Sequence, residues 1–261
     1  MSTDETHWSG RWLALLRQIA LALAFLSRLP SGTAAAPQAG SLAEAAHAFP
    51  IAGMLLGAAA GAVYLAAWKL GLYPLIAATL SIAFLVWLTR GLHEDGLADF
   101  ADGMAGGTPE QRLAIMRDSR IGTFGALTLG LALALRVTAL AEITDPTTVL
   151  LSLCAAAAAS RMLMAVLLWQ LPPARADGLG VSAGVPQSAS LAAGIGIALA
   201  AAFLLLPWPA ALVGILAAAL AATAVGALAR RRLGGQTGDV LGAAQQAAEV
   251  AFLLAGAVLL A

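Results

Sequence analysis

Charged side chains are scarce in this sequence of 261 residues. Asp, Glu, Lys and Arg make up 11% of the chain, whereas soluble domains contain about 25%. Hydrophobic residues make up 61% and are arranged in long runs that contain no charge. These runs argue against an ordinary water-soluble domain and predict a protein of the lipid bilayer.

Three further shortages exclude classes of fold and function. Positive and negative side chains balance at 14 each, so the net charge offers no general attraction to nucleic acid. Cys154 is the one cysteine, which excludes an intrachain disulfide and a metal cluster built on thiols. Aromatic residues make up 6%, whereas Ala, Leu and Gly dominate. This composition is typical of closely packed helices rather than of a β-barrel.

The long apolar runs predict an all-α fold, a polytopic membrane bundle of six to seven spanning helices in a single domain, 1–261. A span needs about 20 apolar residues. The runs that meet this length are 49–68, 72–89, 121–141, 148–171, 189–206 and 210–229. Residues 249–261 form a shorter run that begins at Glu249, so a full span there is left open. Residues 12–27 are interrupted by Arg17 and predict an amphipathic in-plane or re-entrant helix.

Basic side chains predict the orientation of the bundle. If the loop 90–120 faces the cytoplasm and the spans alternate, the basic residues outside the spans gather on one side, as the positive-inside rule requires. These residues are Arg11, Arg17, Arg28, Arg90, Arg112, Arg117, Arg120, Arg175, Arg230, Arg231 and Arg232. Lys69 alone faces the opposite side. The loops 90–120, 172–188 and 230–248 then share the cytoplasmic face and can form one active site.

The stretch "HEDGLADFADG" (93–103) gathers carboxylates a few residues after an uncharged run. Asp95, Asp99 and Asp102 stand at i, i+4 and i+7, a spacing that places them on one face of a helix. Crowded carboxylates repel one another unless a cation lies among them. Oxygen ligands without cysteine or paired histidine suit Mg²⁺ or Mn²⁺. The alternative is a solvated polar loop between two spans.

Basic side chains follow these acids in "QRLAIMRDSRIG" (111–122). Carboxylates that bind a metal and lie beside several arginines form a recurring arrangement for phosphates, because guanidinium groups neutralise phosphate charge. Arg112, Arg117 and Arg120 would each be explained, taken singly, by positive-inside anchoring. Their combination with the acids indicates an enzyme that acts on phosphate groups.

Two alternatives stay open at this point. "DFADG" (99–103) matches the start of the D-x-x-D-G motif of CDP-alcohol phosphotransferases, membrane enzymes that cleave a nucleotide pyrophosphate with metal-bound aspartates. The match ends there, because Arg120 and apolar residues stand where that family has two further aspartates, so a lipid head-group transferase is the first alternative. A cation-coupled transporter is the second, although transport sites usually lie near the midplane on broken spans.

A series of motifs runs in order along almost the whole chain. They are "FLSRLP" (25–30), "FPIAGMLLG" (49–57), "GLHEDGLADFADGMAGG" (91–107), "RLAIMRDSRIGTFG" (112–125), "SRM" (160–162), "ARADGLG" (174–180) and "GGQTGDVLGAAQQAAE" (234–249). In this order the motifs closely resemble those of the cobalamin synthase (adenosylcobinamide-GDP ribazoletransferase) family. The central motif is long enough to be highly specific.

The resemblance implies a transferase that joins adenosylcobinamide-GDP to α-ribazole, or to its 5′-phosphate, and releases GMP. It implies Mg²⁺ as the cofactor, with Mn²⁺ as a substitute, and the cytoplasmic (inner) membrane of a bacterium as the location. The expected partners are the two substrates and the lipid bilayer, not nucleic acid. A homo-oligomer, or an association with other enzymes of the corrinoid pathway, is compatible with the resemblance.

The expected site residues combine the resemblance with side-chain chemistry. Asp95, Asp99 and Asp102 are the predicted metal ligands, with Glu94 as a fourth ligand or as the general base. His93 is a candidate base for the ribazole hydroxyl because its reference pKa is near 6.5, and a structural histidine is the alternative. The other predicted catalytic residues are Arg117, Asp118 and Arg120, for which helix capping and a surface ion pair are the alternative. The predicted substrate-binding residues are Arg112, Arg175, Asp177, Thr237, Gly238 and Asp239.

Two arginines lie within predicted spans, where an unpaired charge is costly. Glu249 is the candidate partner of Arg161. Arg136 either pairs inside the bundle as well or extends its guanidinium toward the membrane edge.

Overall fold

The computed structural model describes residues 3–28 and 41–260, and within these ranges all regular secondary structure is helical. The helices are α1 (Thr3–Leu26), α2 (Ser41–Glu44), α3 (Phe49–Lys69), α4 (Pro74–Leu88), α5 (Leu92–Gly103), α6 (Pro109–Ile115), α7 (Thr123–Glu142), α8 (Pro146–Gln170), α9 (Leu179–Ser182), α10 (Ser188–Leu205), α11 (Trp208–Leu233) and α12 (Gly238–Leu260). A short 3₁₀ helix, Ala46–Ala48, precedes α3. The all-α prediction is confirmed.

Six helices of the described ranges are long and apolar enough to cross a membrane, namely those that contain α3, α7, α8, α10, α11 and α12. Helix α4 has 15 residues and meets α5 at an angle of 88°, so the pair is a broken span or a re-entrant loop. The second part of α1, Trp12–Leu26, is a shorter apolar helix near the N-terminus of the chain. A bundle of six to seven spans with a shorter N-terminal helix is therefore confirmed.

The prediction of a loop over 230–248 is wrong for most of its length. Helix α12 has 23 residues and includes the second half of that range, so residues 249–260 belong to a helix long enough to span. Gln245, Gln246 and Glu249 made the segment look polar, yet they are at most 1% exposed. Their polar partners lie inside the bundle, which a local pattern cannot show. The predicted loop 90–120 likewise contains two helices, α5 and α6.

Helix α8 is the centre of the bundle. In the most apolar part of α8, 78% of the residues are buried, compared with 28% in the corresponding parts of α7, α10 and α11. Helix α3 packs closely on α8 because Gly53 and Gly57 have no side chains. A Cβ atom at Gly53 would overlap the backbone carbonyl of Ala157, and one at Gly57 would overlap that of Leu153. Small residues are what brings two helices this close in a membrane. This rigid centre carries the other helices, whose ends hold the polar segments.

Candidate active site

The corner between α4 and α5 sets the direction of the acidic helix. Arg90 and Gly91 both have positive φ angles, 59° and 65°, and together they turn the chain through the 88° bend. A left-handed backbone is rare for a residue with a side chain and indicates a position fixed by its surroundings. The turn places Asp95 and Asp99 on the wall of a cavity of about 550 Å³.

This cavity, called the main cavity here, has chemically different walls. Asp95, Asp99 and Arg90 contribute charge, while Phe25 of α1 and Leu129 of α7 contribute apolar surface. Arg90 did not appear among the predicted site residues, because its position before the motif gave no signal beyond the positive-inside rule. The cavity can therefore hold a ligand that is charged on one side and apolar on the other.

A contact between two glycines brings a further acid to the same place. Helices α5 and α12 touch at Gly96 and Gly242, where a Cβ on Gly96 would lie 3.0 Å from the Cα of Asp239 and 3.3 Å from the Cα of Gly242. This close approach carries Asp239, at the start of α12, next to the acids of α5. Sequence spacing alone could not show this, since about 140 residues separate the two segments.

The carboxylate of Asp99 lies in a crowded electrostatic environment. The negative charges of Asp95, Asp239 and Asp102 repel it, and the guanidinium of Arg175 attracts it. Arg175 donates a hydrogen bond of 3.4 Å from Nη2 to Oδ2 of Asp239. The cluster of Asp95, Asp99 and Asp239 thus has one neighbouring arginine and an excess of negative charge.

The carboxylates near the main cavity meet part of the requirement of a divalent cation. Among the residues that the structure describes, no three His, Cys, Asp or Glu side chains converge closely enough to enclose a metal ion by themselves. Mg²⁺, however, usually takes one or two carboxylates and completes its coordination with water and substrate phosphates. Asp95 and Asp99 are oxygen donors that repel each other on the wall of the main cavity, so this pair, with Asp239 nearby, suits a cation that completes its coordination with water and a phosphate ligand.

Asp102 has a different environment from the one expected of a metal ligand. The backbone N–H of Gly122 donates to its Oδ2 at 2.7 Å, and the N–H of Gly125 donates to its Oδ1 at 2.8 Å. These amides form the N-terminus of α7, whose positive end favours a carboxylate. The spacing that places Asp102 on the face of Asp95 and Asp99 could not show what lies opposite. Its side chain caps α7, and its role as a metal ligand stays a prediction.

Glu94 is tied into a polar network within the bundle rather than standing free. Its Oε1 accepts hydrogen bonds from Nη2 of Arg136 at 3.0 Å and from Nε2 of Gln246 at 3.1 Å. Its Oε2 has no partner among the described residues, and the residue borders the main cavity. One oxygen of Glu94 is therefore held in place, while the other is buried without a partner among the described residues.

The same network pairs both arginines of the predicted spans. Arg136 donates from Nη1 to Oε1 of Glu249 at 3.2 Å, and Arg161 donates from Nη1 to Oε2 of Glu249 at 2.6 Å. Gln245 donates from Nε2 to the latter oxygen, also at 2.6 Å. The side chains of Arg136, Arg161 and Glu249 are at most 1% exposed. The predicted pairing of Arg161 with Glu249 is confirmed, and Arg136 pairs inside the bundle.

His93 is buried between α5 and α12, at 1% exposure. Neither ring nitrogen has a hydrogen-bond partner among the described residues. The side chain borders a second cavity of about 140 Å³ rather than the main cavity. The candidate base thus does not face the main cavity beside Asp99, and the burial agrees with the structural alternative.

Three separate segments of the chain meet at this end of the bundle. Arg117 donates from Nη2 to both carboxylate oxygens of Asp177, at 2.6 and 2.9 Å. The backbone N–H of Gln236 donates to the carbonyl of Pro172, and the N–H of Ala174 donates to the carbonyl of Gln236, both at 2.8 Å. The structure therefore brings together the segments 90–120, 172–188 and 230–248.

The remaining predicted residues occupy supporting positions. Thr237 is 2% exposed and donates to Oδ2 of Asp239 at 3.2 Å, while its hydroxyl accepts from the N–H of Val240 at 3.3 Å. It orients Asp239 and caps α12, so it is not open to a phosphate. Gly238 borders the second cavity. Arg112 is buried, and its Nε has no partner among the described residues.

Asp118 and Arg120 form an exposed pair. Nε and Nη2 of Arg120 donate to Oδ1 and Oδ2 of Asp118 at 3.0 and 2.6 Å. These hydrogen bonds lower the pKa of the Asp118 carboxyl to about 2. The geometry is that of the surface ion pair named as the alternative, and the two side chains satisfy each other.

These features define a helical membrane protein with carboxylates and arginines grouped at one end of its bundle. Residues 18–257 match the family model described as cobalamin-5-phosphate synthase. The chain is 44% identical to the adenosylcobinamide-GDP ribazoletransferase of Bradyrhizobium diazoefficiens, over 93% of this chain and 94% of that one. It is 45% identical to that of Azorhizobium caulinodans, over 92% and 95%, and 42% identical to that of Mesorhizobium japonicum, over 94% and 95%.

The protein therefore belongs to the cobalamin synthase family, a family of transferases of the cobalamin pathway. The resemblance inferred from the motifs is confirmed. No solved structure matches the chain.

Proposed function

We propose that this protein joins adenosylcobinamide-GDP to α-ribazole, or to α-ribazole 5′-phosphate, and releases GMP. The product is adenosylcobalamin or its 5′-phosphate. In this reaction a hydroxyl of the ribazole attacks the phosphorus next to the cobinamide, the pyrophosphate bond breaks, and the hydroxyl proton is released. The observation that carries the proposal is the pair of carboxylates Asp95 and Asp99 on the wall of the main cavity, with Asp239 and its partner Arg175 close enough to act on the charge of Asp99.

Positioning and charge neutralisation would supply most of this catalysis. Asp95 and Asp99 would hold Mg²⁺ or Mn²⁺, with Asp239 adding negative charge nearby, and the bound cation would offset the negative charge of the pyrophosphate. Arg175 fits a role in phosphate binding, because its Nη1 is buried without a partner in the described part of the chain. A buried guanidinium N–H of this kind gains a charge-assisted hydrogen bond when a phosphate arrives.

Glu94 is the proposed acceptor of the hydroxyl proton. Its Oε2 is free of partners among the described residues and the residue borders the main cavity, while Arg136 and Gln246 fix Oε1. A base that is held by one oxygen presents the other in a constant direction, which is what general-base catalysis requires.

The direct test mixes detergent-purified protein with adenosylcobinamide-GDP, α-ribazole and magnesium and follows the corrinoid product and GMP by mass spectrometry. The same preparation is offered CDP-diacylglycerol and a polar alcohol as the lipid-transferase alternative. Formation of the corrinoid product alone supports the proposal. Formation of a phospholipid alone would replace it with the lipid alternative.

Removal of divalent metal is expected to abolish turnover. The clustered carboxylates offer hard oxygen donors and no sulfur ligand, so activity should be lost in excess EDTA and restored by Mg²⁺ or Mn²⁺ but not by an equal ionic strength of NaCl. Product formation is measured before and after each addition. Undiminished turnover in excess chelator would contradict the proposed metal site.

We also propose that the protein lies in the cytoplasmic (inner) membrane with its active-site end facing the cytoplasm. Single cysteines in a Cys154→Ala background test this with a membrane-impermeant thiol reagent. Cysteines at Ala105, Ala176 and Arg231 should react only after the cytoplasmic side is opened. A cysteine at Thr144 should react in intact spheroplasts. Labelling of the Ala176 position in intact spheroplasts would overturn the orientation.

A further inference from the structure

A second, smaller cavity adjoins the main cavity at Asp95. It has a volume of about 140 Å³, and Phe25, Leu92 and Asp95 border both cavities. We propose that this smaller cavity, called the base pocket, binds the azole base of the acceptor nucleoside. The proposal rests on the proposed function, because it assigns a subsite to one of the two substrates.

The walls of the base pocket suit a flat apolar ring. Phe25 and Phe49 border it and stack on each other with ring centroids 6.3 Å apart and an angle of 22° between the planes. Met164 and Leu168 of α8 contribute a thioether and an aliphatic chain. Aromatic rings and polarisable sulfur make favourable contacts with a flat aromatic ligand. A cavity of about 150 Å³ is known to hold one aromatic ring, so the base pocket has room for one ring of a fused azole base such as that of α-ribazole.

His93 supplies a polar contact in the part of the pocket away from the carboxylates Asp95 and Asp239, which also border it. Its side chain borders the pocket, and both ring nitrogens are buried without a partner among the described residues. Buried polar groups in proteins are nearly always hydrogen-bonded. A neutral imidazole has one N–H donor and one acceptor nitrogen, so it can donate to a ring nitrogen of an azole. The bound base would then satisfy a group that the protein leaves unsatisfied.

The position of the acids gives the nucleoside its direction. Asp95 lies where the two cavities meet, and Asp239 of α12 is close enough to Asp95 for their charges to repel. A base inserted against His93 therefore directs its ribose toward Asp95 and the main cavity. That places the attacking hydroxyl on the side where the pyrophosphate is proposed to bind.

Guanine of the donor nucleotide fits the base pocket less well. Its N–H groups have the carboxylates Asp95 and Asp239 within the pocket lining, but its carbonyl and ring-nitrogen acceptors would lie against Phe25, Phe49, Met164 and Leu168 with the ring nitrogens of His93 as the one neutral partner. An azole base exposes little more than one ring nitrogen and matches His93. The guanine alternative nevertheless gives a distinct result in the same experiment.

The test fills the pocket and measures both substrates separately. Ala183 borders the base pocket, and Ala183→Leu is expected to raise the KM for α-ribazole at least tenfold while the KM for adenosylcobinamide-GDP stays within twofold. Ala198→Leu is the matched control, because it fills an apolar cavity of about 270 Å³ between α8, α10 and α11. It should leave both KM values unchanged.

A second variant keeps the test decisive if Ala183→Leu folds poorly. His93→Phe retains a flat ring but removes both nitrogens, so it should weaken α-ribazole binding, and His93→Asn should restore part of it. Binding of α-ribazole alone is measured by equilibrium dialysis on purified, monodisperse protein.

A rise in the KM for adenosylcobinamide-GDP instead would assign the pocket to guanine, and no change for either substrate would also overturn the proposal. Binding of α-ribazole without turnover would contradict the proposed function and leave the base pocket standing.

Discussion

Asp99→Asn is expected to remove nearly all turnover while the protein stays folded and membrane-inserted. The substitution keeps the size of the side chain but removes the charge that a divalent cation requires. It also removes the repulsion that Asp95 and Asp239 exert on Asp99, so Tm should stay the same or rise slightly. The measurements are kcat under saturating substrate and magnesium, and Tm in detergent.

Two further variants separate this effect from others. Glu142→Gln makes the same chemical change at the end of α7 away from the acids of α5 and should keep full turnover. Asp102→Asn should lower Tm, because an amide has one acceptor oxygen for the two N–H groups of Gly122 and Gly125, at a cost of about 1–2 kcal/mol. If Asp99→Asn kept turnover within about tenfold of the unmodified protein, roughly 1.4 kcal/mol in activation free energy, Asp99 would not be an essential metal ligand.

The largest loss of stability is expected from Glu249→Leu. Glu249 accepts hydrogen bonds from both Arg136 and Arg161 inside the bundle. Its removal leaves the Arg161 guanidinium buried without a carboxylate, whereas Arg136 keeps Glu94 at 3.0 Å. An uncompensated buried charge typically costs about 3–5 kcal/mol. Tm in detergent and the yield of monodisperse protein measure the effect.

A compensating replacement shows whether the charge or the packing is responsible. Arg161→Met combined with Glu249→Leu removes the pair together and should recover most of the lost stability, since apolar residues can replace a buried pair at little cost. Recovery in the double variant indicates that the unpaired guanidinium caused the loss. A Glu249→Leu protein whose free energy of unfolding changed by less than about 1 kcal/mol would show that Arg161 finds another partner.

The spans and the place of the acids could be predicted because both depend on local pattern. Uncharged runs of sufficient length become helices in lipid, since backbone groups must be satisfied within the segment. The spacing of Asp95 and Asp99 correctly placed them together, because a helix repeats every 3.6 residues. Their helix, α5, borders the main cavity as the motif suggested.

The partners of polar side chains could not be predicted, because they come from distant parts of the chain. Asp102 has the same spacing as the other acids, yet its oxygens meet the first amides of α7. Gln245 and Gln246 looked like loop residues because their partners on other helices, Ser160 and Glu94, are far away in the sequence. One signal was present in the sequence. An otherwise apolar stretch contains Gln245, Gln246 and Glu249, and this spacing indicates one polar helix face within the bundle.

Helix α5 is fastened at both ends to α7, through Glu94 to the buried Arg136 and through Asp102 to the first turn of that helix. The acids between these two points are consequently preorganised: repulsion among them cannot be relieved by tilting the helix. Such a site gains affinity by avoiding the entropy of ordering its ligands when the cation arrives. Binding of Mg²⁺ should then stabilise the protein by simple mass action, in proportion to RT ln(1 + [Mg²⁺]/Kd), and the protection of the α5 amides from hydrogen exchange should rise by the same free energy, because any opening of α5 destroys the site.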